Sequence, residues 1–387
     1  MQTAGIHEVQ TVFLLLLSFV IIFALLARRL NTPYPIVLVI AGLLLGFVPG
    51  IPTVTLDPDI IFLVVLPPLL YSAAWNTSWR EFRYNLINVS MLAFGLVGFT
   101  VLGVTLAAPR VLNGFDWRLG FVLGAVVATT DAIAATSIAK RIGLPHGIVD
   151  ILEGESLLND ATGLLALEFG LSIVEHGQTP SIASGLSRLV WLTVGGLAVG
   201  IVIGYLVDLF ERHVEYSSIE IILSLLVPYA TYLAADAINS SGVLAVVACG
   251  LFLSRRSAEF FSPKVRLQST AVWSSLSFAL NGLTFILIGL QLPSIRAGIK
   301  GQKLSGLLID GAVFSGLLIL LRLLWVFPGT YIANALRKRT QPGKVAPYSR
   351  RQVFVVGWTG MRGVIALAAA LSLPVTLADG TPFRNGI

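Results

Sequence analysis

Apolar runs of about twenty residues, parted by short polar joints, recur from one end of the chain to the other. A helix of about 20 residues spans the roughly 30 Å hydrocarbon core of a bilayer. The runs therefore predict twelve transmembrane helices, over residues 9–28, 35–50, 58–75, 86–108, 118–139, 147–174, 184–209, 217–236, 240–254, 268–292, 305–335 and 350–374. The first run does not read as a cleaved signal peptide: Met1 to Gln10 carry no Lys or Arg, and the basic pair Arg28-Arg29 follows the run instead of preceding it. No soluble domain is visible between the runs, so residues 1–387 read as a single transmembrane domain.

Composition narrows the class. Hydrophobic residues make up 56% of 387 and charged residues only 12%, which excludes an ordinary soluble domain. The net charge of +6 is not a nucleic-acid patch, because the basic residues fall in small clusters at the joints, such as Lys140-Arg141, Arg255-Arg256 and Arg350-Arg351. Their distribution sets an orientation. With the N-terminus outside, 17 of the 26 Lys and Arg fall on the cytoplasmic side and 7 on the outer side, Arg322 and Arg362 lying within spans. The expected location is the cell membrane, multi-pass. Cys249 is the only cysteine, so no disulfide forms within the chain.

Polar residues inside the spans carry the chemistry. Acidic side chains cost about 2.5–3.5 kcal/mol each at the centre of a membrane helix, and they persist there when paired or functional. Span six contains Glu155-Ser-Leu-Leu-Asn-Asp-Ala161. On a helical wheel Ser156 and Asp160 share one face, and Glu155 and Asn159 share an adjacent face about 100° away. One face can offer oxygens to a cation while the other holds an ion pair, for which Arg322 and Arg362 are the candidate partners of Glu155. Span five carries Ala128-Thr-Thr-Asp-Ala-Ile-Ala-Ala-Thr136, and span twelve carries Gly357-Trp-Thr-Gly-Met-Arg-Gly363. Hydroxyls with a carboxylate in the first, and three glycines with an arginine in the second, predict interrupted helices whose free backbone groups can meet an ion.

Spans five and twelve are seven apart, which suits two inverted repeats of six spans around a linker. The first repeat covers about 9–174, the linker span about 184–209 and the second repeat about 217–387. The second repeat then lacks its last helix, and the sequence is read as cut short. The expected fold is an all-α polytopic membrane protein in which discontinuous helices five and twelve cross near an ion site.

Four segments resemble the monovalent cation:proton antiporter family, in its NhaP-type and sodium/proton exchanger branch: Thr130-Asp131, Gly154-Glu-Ser-Leu-Leu-Asn-Asp-Ala161, Ser241-Gly-Val-Leu-Ala-Val-Val247 and Gly360-Met-Arg-Gly-Val-Ile-Ala-Leu-Ala368. They occur in the family's order. The resemblance implies a non-enzymatic transporter, with Asp160 binding either a proton or a cation. Asp131, Ser156 and Thr130 would complete the sodium site, and Asn159 would support it. In the family an Asn before the key Asp goes with electroneutral exchange, so Asn159 implies one cation per proton. Glu155 would pair with Arg322, leaving Arg362 at the break in span twelve. The resemblance also implies a homodimer, a role in sodium transport and pH homeostasis, sodium, lithium or potassium as cargo, and no cofactor. The family has a further helix beyond the point where this chain stops.

Weaker signals remain at the edges. Glu168 and Asp236 read as outer-funnel or helix-end charges, Glu153 as a residue of the cytoplasmic access route or a helix-end charge, Asp310 as interfacial, and Asn281 as core-facing or hydrogen-bonded between helices. His7, His146, His176 and His213 lie in or near joints, too scattered for a metal site. Residues 257–270 read as an interfacial stretch suited to anionic lipid. A passive channel would need a repeated filter, and an intramembrane aspartyl protease built on Asp131 and Asp160 would need a Gly-Asp signature; the sequence offers neither.

Overall fold

The computed structural model describes residues 2–48, 60–112, 115–131, 135–136, 139, 143–176, 182–214, 216–293, 304–340 and 348–374. Regular structure among them is entirely helical. In chain order the helices are α1 (Gln2–Arg29), α2 (Tyr34–Leu45), α3 (Ile61–Asn76), α4 (Trp79–Val111), α5 (Trp117–Ala128), α6 (His146–His176), α7 (Ile182–Glu211), α8 (Ser217–Ala237), α9 (Gly242–Phe260), α10 (Pro263–Leu290), α11 (Leu304–Thr340), α12 (Arg350–Trp358) and α13 (Val364–Ser372). They follow the apolar runs in order, α12 and α13 sharing the twelfth.

Seven helices among the described residues, α1, α4, α6, α7, α8, α10 and α11, are long and apolar enough to cross a bilayer. The apolar helices α2, α3 and α5 are shorter. A 12-residue helix such as α2 or α5 measures only about 18 Å. The twelve runs therefore correspond to fewer full-length helices than their hydropathy alone implies. Lipid-facing helices show what hydropathy is for: Leu14 and Leu25 of α1 and Val202 and Leu206 of α7 are exposed, as suits contact with acyl chains.

Lipid tails are as apolar as leucine, so membrane helices are held by close packing and interhelical hydrogen bonds instead of water exclusion. The α2–α10 contact illustrates the first device. A Cβ on Gly42 would overlap the backbone of Ile286, and one on Gly289 would overlap that of Val39 and Leu43. Both glycines are required for the two backbones to meet. Leu38 and Ile286, both 0% exposed, fill the seam beside them.

Proline explains a second feature. Helix α3 opens with a π-helical stretch over Ile61–Val65, just before Pro67-Pro68. Pro68 has no N–H for the carbonyl four residues back, that of Val64. Tyr229 of α8 supplies the missing donor, its hydroxyl bonding Val64 O at 3.0 Å. Helix α4 carries another π stretch, Met91–Leu96, where Trp325 Nε1 donates to Met91 O at 3.0 Å. These tethers fasten α3 to α8 and α4 to α11 at the points where the helical hydrogen-bond ladder is locally altered.

Candidate ion site

Helix α5 stops at Ala128, and Thr129 takes an extended backbone (φ −69°, ψ 141°). Facing it, α12 stops at Trp358 and α13 starts at Val364, leaving Thr359–Gly363 outside either helix. The two open segments meet. Asp131 N–H donates to Met361 O at 2.7 Å. Arg362 Nε donates to Val127 O at 2.9 Å and Nη1 to Gly360 O at 2.6 Å. A cationic side chain thus covers the last turn of α5, where free carbonyls leave a partial negative charge. A Cβ on Gly363 would come within 2.6 Å of Asp131 Cβ. Asp131 therefore lies against the first residues of α13, the end of a helix that favours an anion.

Helix α6 passes beside this junction and is stitched to it. Ser156 Oγ donates to Thr130 O at 2.7 Å, Asn159 Nδ2 to Thr130 Oγ1 at 2.5 Å, and Thr130 Oγ1 to Glu155 Oε1 at 3.3 Å. Gly163, one turn on, allows the approach, since a Cβ there would overlap Thr129 Cγ2. Glu155 and Arg322 make a bidentate pair at 2.6 and 2.9 Å, and Arg322 Nη2 also reaches Val356 O at 3.1 Å. With the two residues 1% and 3% exposed, the pair cancels both charges away from water and ties α6 to α11 and α12. Arg362 makes no such contact among the described residues; its donors go to backbone carbonyls.

Ser156 and Asp160 face a cavity of about 510 Å³, and Glu155 and Asn159 point away from it. Thr129, Thr130, Asp131 and Thr136 also line it, with α3 and α10 supplying the opposite wall. Asp160 is 6% exposed and has no hydrogen-bond partner among the described residues. The structure thus gathers Thr130, Asp131, Ser156 and Asp160 on one cavity, with Asn159, Glu155, Arg322 and Arg362 bracing them from behind. Hard oxygens and a carboxylate in that arrangement suit a small cation.

Among the weaker signals, Glu153 and Asn281 line the same cavity. Glu168 pairs with Arg188 at 2.6 Å, both about half exposed. Asp236 and Asp310 are exposed. His213 is exposed with its ring against Leu209 O, and the side chains of His7, His146 and His176 lie outside the described residues. Asn76, Thr77 and Ser274 also line the cavity; in sequence the first two are joint residues, and Ser274 is one of several hydroxyls early in span ten with nothing to single it out. Arg337, which counts as one of the joint charges in sequence, is 1% exposed. Helix α11 continues to Thr340 and lays its guanidinium 4.7 Å from the Tyr84 ring and 6.0 Å from that of Tyr348.

Comparison with known proteins agrees with this geometry. The family profile described as "Sodium/hydrogen exchanger, transmembrane" matches residues 14–382. The chain belongs to the sodium/hydrogen exchanger family, whose members are transporters and not enzymes. An uncharacterised Na+/H+ exchanger of Mycobacterium bovis is 34% identical over 377 residues, covering 97% of this chain and 68% of the relative. A sodium, potassium, lithium and rubidium/H+ antiporter of Bacillus subtilis is 30% identical over 393 residues, covering 97% of this chain and 57% of the relative. The solved structure of the sodium proton antiporter MjNhaP1 from Methanocaldococcus jannaschii superposes with a TM-score of 0.72 at 18% identity, over 96% of this chain and 86% of that one. The chain therefore has that fold and is a multi-pass membrane protein.

Proposed function

We propose that the chain exchanges a monovalent cation for a proton across the membrane, with Asp160 holding one or the other. Sodium is the cargo first in line, ahead of lithium and potassium. The observation that carries the reading is the setting of Asp160: buried, on a cavity wall, beside Ser156 and the junction of two interrupted helices. A carboxyl group away from bulk water is stable when neutralised, by a proton or by a metal cation. Each step balances: the carboxylic acid gives up its proton as the cation arrives and regains one as the cation leaves. The two ligands exclude each other, and that competition couples the fluxes.

The other residues have supporting roles in this reading. Asp131, Ser156 and Thr130 complete the cation's oxygen shell. Asn159 commits its amide to Thr130, so Asp160 is the single ionisable group of the Asn-Asp pair and exchange is one for one, electroneutral. Glu155 is already cancelled by Arg322 and keeps α6 in place.

Residues 9–174 and 217–387 are read as inverted repeats around the linker helix α7; the matching interruptions after Ala128 and Trp358 support this. With the N-terminus outside, the Asn76, Thr77 and Glu153 end of the cavity lies toward the cytoplasm, the open side of an alternating-access cycle. The working unit is a homodimer, a reading that rests on the family likeness.

The test is flux in proteoliposomes with a trapped pH dye, under voltage clamp. Adding sodium outside should collapse an imposed proton gradient, and Asp160→Asn should abolish the signal. Wild-type rates in Asp160→Asn would overturn the role given to Asp160.

A further inference from the structure

Two buried carboxylates stand away from the cavity and have no part in the proposed cycle. Glu211 ends α7 and Glu220 lies in the first turn of α8, where their charges repel one another. They are 3% and 4% exposed, and Oε2 of each is enclosed without a hydrogen-bond partner among the described residues.

The neighbouring charges are already committed. Just past the end of α7, Arg212 binds Asp208 and Glu259, and Arg256 from α9 binds Asp208 as well. His213 is exposed and its ring faces Leu209 O. From α3, Tyr71 is within electrostatic reach of Glu211 and of Cys249 on α9. Lys264 and Arg266 in the first turn of α10 are exposed.

Helix α10 adds a third orphan. Trp273 Nε1 donates to Ser224 Oγ at 3.2 Å. One turn back along α8 from Ser224 is Glu220, and one turn back along α10 from Trp273 is Ser269. Alternate spans run in the same direction, so the two share a level. Ser269 is 2% exposed and its Oγ has no partner among the described residues. Three unpartnered oxygens on two acids and a hydroxyl, with no ion pair to either acid among the described residues, ask for a positively charged ligand or a proton.

We propose that Glu211 and Glu220 form a second proton-binding site, holding one proton between them so that the pair carries a single negative charge. The proton comes from and returns to water at the α7–α8 joint. Deprotonation leaves two negative charges enclosed together, and they push α7 and α8 apart. Tyr71, within electrostatic reach of Glu211, belongs to α3, whose Leu69, Leu70 and Ala73 wall the ion cavity. The site is thus one helix away from that cavity, yet its existence does not depend on how the cavity is used.

The test needs no transport. Purified protein in detergent is heated at a fixed scan rate between about pH 5 and about pH 8.5, as wild type, Glu220→Gln and Glu211→Gln. A proton held by the folded pair stabilises it at acid pH, and that contribution disappears as pH rises. The apparent unfolding temperatures should coincide at acid pH, and the wild type should fall below both variants at alkaline pH. Parallel curves would overturn the proposal. So would recovery of the alkaline wild type, and not of the variants, on replacing choline by sodium or potassium at constant ionic strength, because the ligand would then be an alkali cation.

Discussion

Glu155 shows how far a single side chain can be read before its neighbours are known. Its place among apolar residues demands a partner, and a helical wheel separates it from Ser156 and Asp160. The wheel cannot choose between Arg322 and Arg362, because that depends on which helix packs against which face. The answer lies in backbone needs: Arg362 is drawn to the uncapped carbonyls of α5, and Arg322 is left for Glu155. Removing either partner leaves a charge buried alone. Glu155→Gln or Arg322→Ala should each cost about 3–5 kcal/mol, seen as lost monodisperse protein on heating, and Glu155→Gln with Arg322→Gln should recover part of it. Asn159 offers a sharper functional test. Replacing it by Asp removes the N–H pair that holds Thr130 and adds a second carboxylate beside Asp160. In the proposed cycle Asn159→Asp should turn silent exchange into exchange that carries current, read on a supported membrane; a variant that transports without current would contradict the role given to Asn159.

At the scale of elements, the helix ends at Ala128 and Trp358 were the most legible feature and the helix lengths the least. Hydroxyls with a carboxylate at 128–136, and three glycines at 357–363, are poor continuous helix in any solvent. Hydropathy, however, counts apolar residues whether or not their backbone is helical, so short helices such as α2 and α5 look like full spans. The π stretches were also unreadable, because the carbonyl that Pro68 frees is satisfied by Tyr229, far away in sequence. The junction itself is sensitive to volume. Gly363→Ala places a methyl group against Asp131 and should slow sodium-driven proton movement at least about tenfold, by the roughly 1.4 kcal/mol that a misplaced ligand readily costs. Gly289→Ala, remote from the site, should lower the unfolding temperature by separating α2 from α10, with the cation dependence of the remaining activity unchanged.

The whole molecule adds an orientation and a polarity of access. If the N-terminus lies outside, as proposed from the charge count, the α7–α8 joint lies inside and the α8–α9 turn outside. In a Cys249→Ser background, a cysteine at His213 should react with a membrane-impermeant maleimide only from the cytoplasmic face, and one at Asn239 only from the outer face. The reverse pattern would invert the molecule and, with it, the side to which the cavity opens. At this scale the sequence could count runs and charges; it could not show that Asn76, Thr77 and Ser274 complete the cavity wall, since each is an ordinary polar residue until α3 and α10 are packed opposite α6.

In the proposed cycle one carboxylate trades a proton for a cation, and this exchange can be followed without a membrane. Sodium chloride is added to purified protein in weakly buffered detergent solution, and proton release is followed with a pH dye against choline chloride. Release of about one proton per cation bound is expected, saturating with sodium and absent in Asp160→Asn. Saturable sodium binding with no proton released, or release that survives in Asp160→Asn, would contradict it.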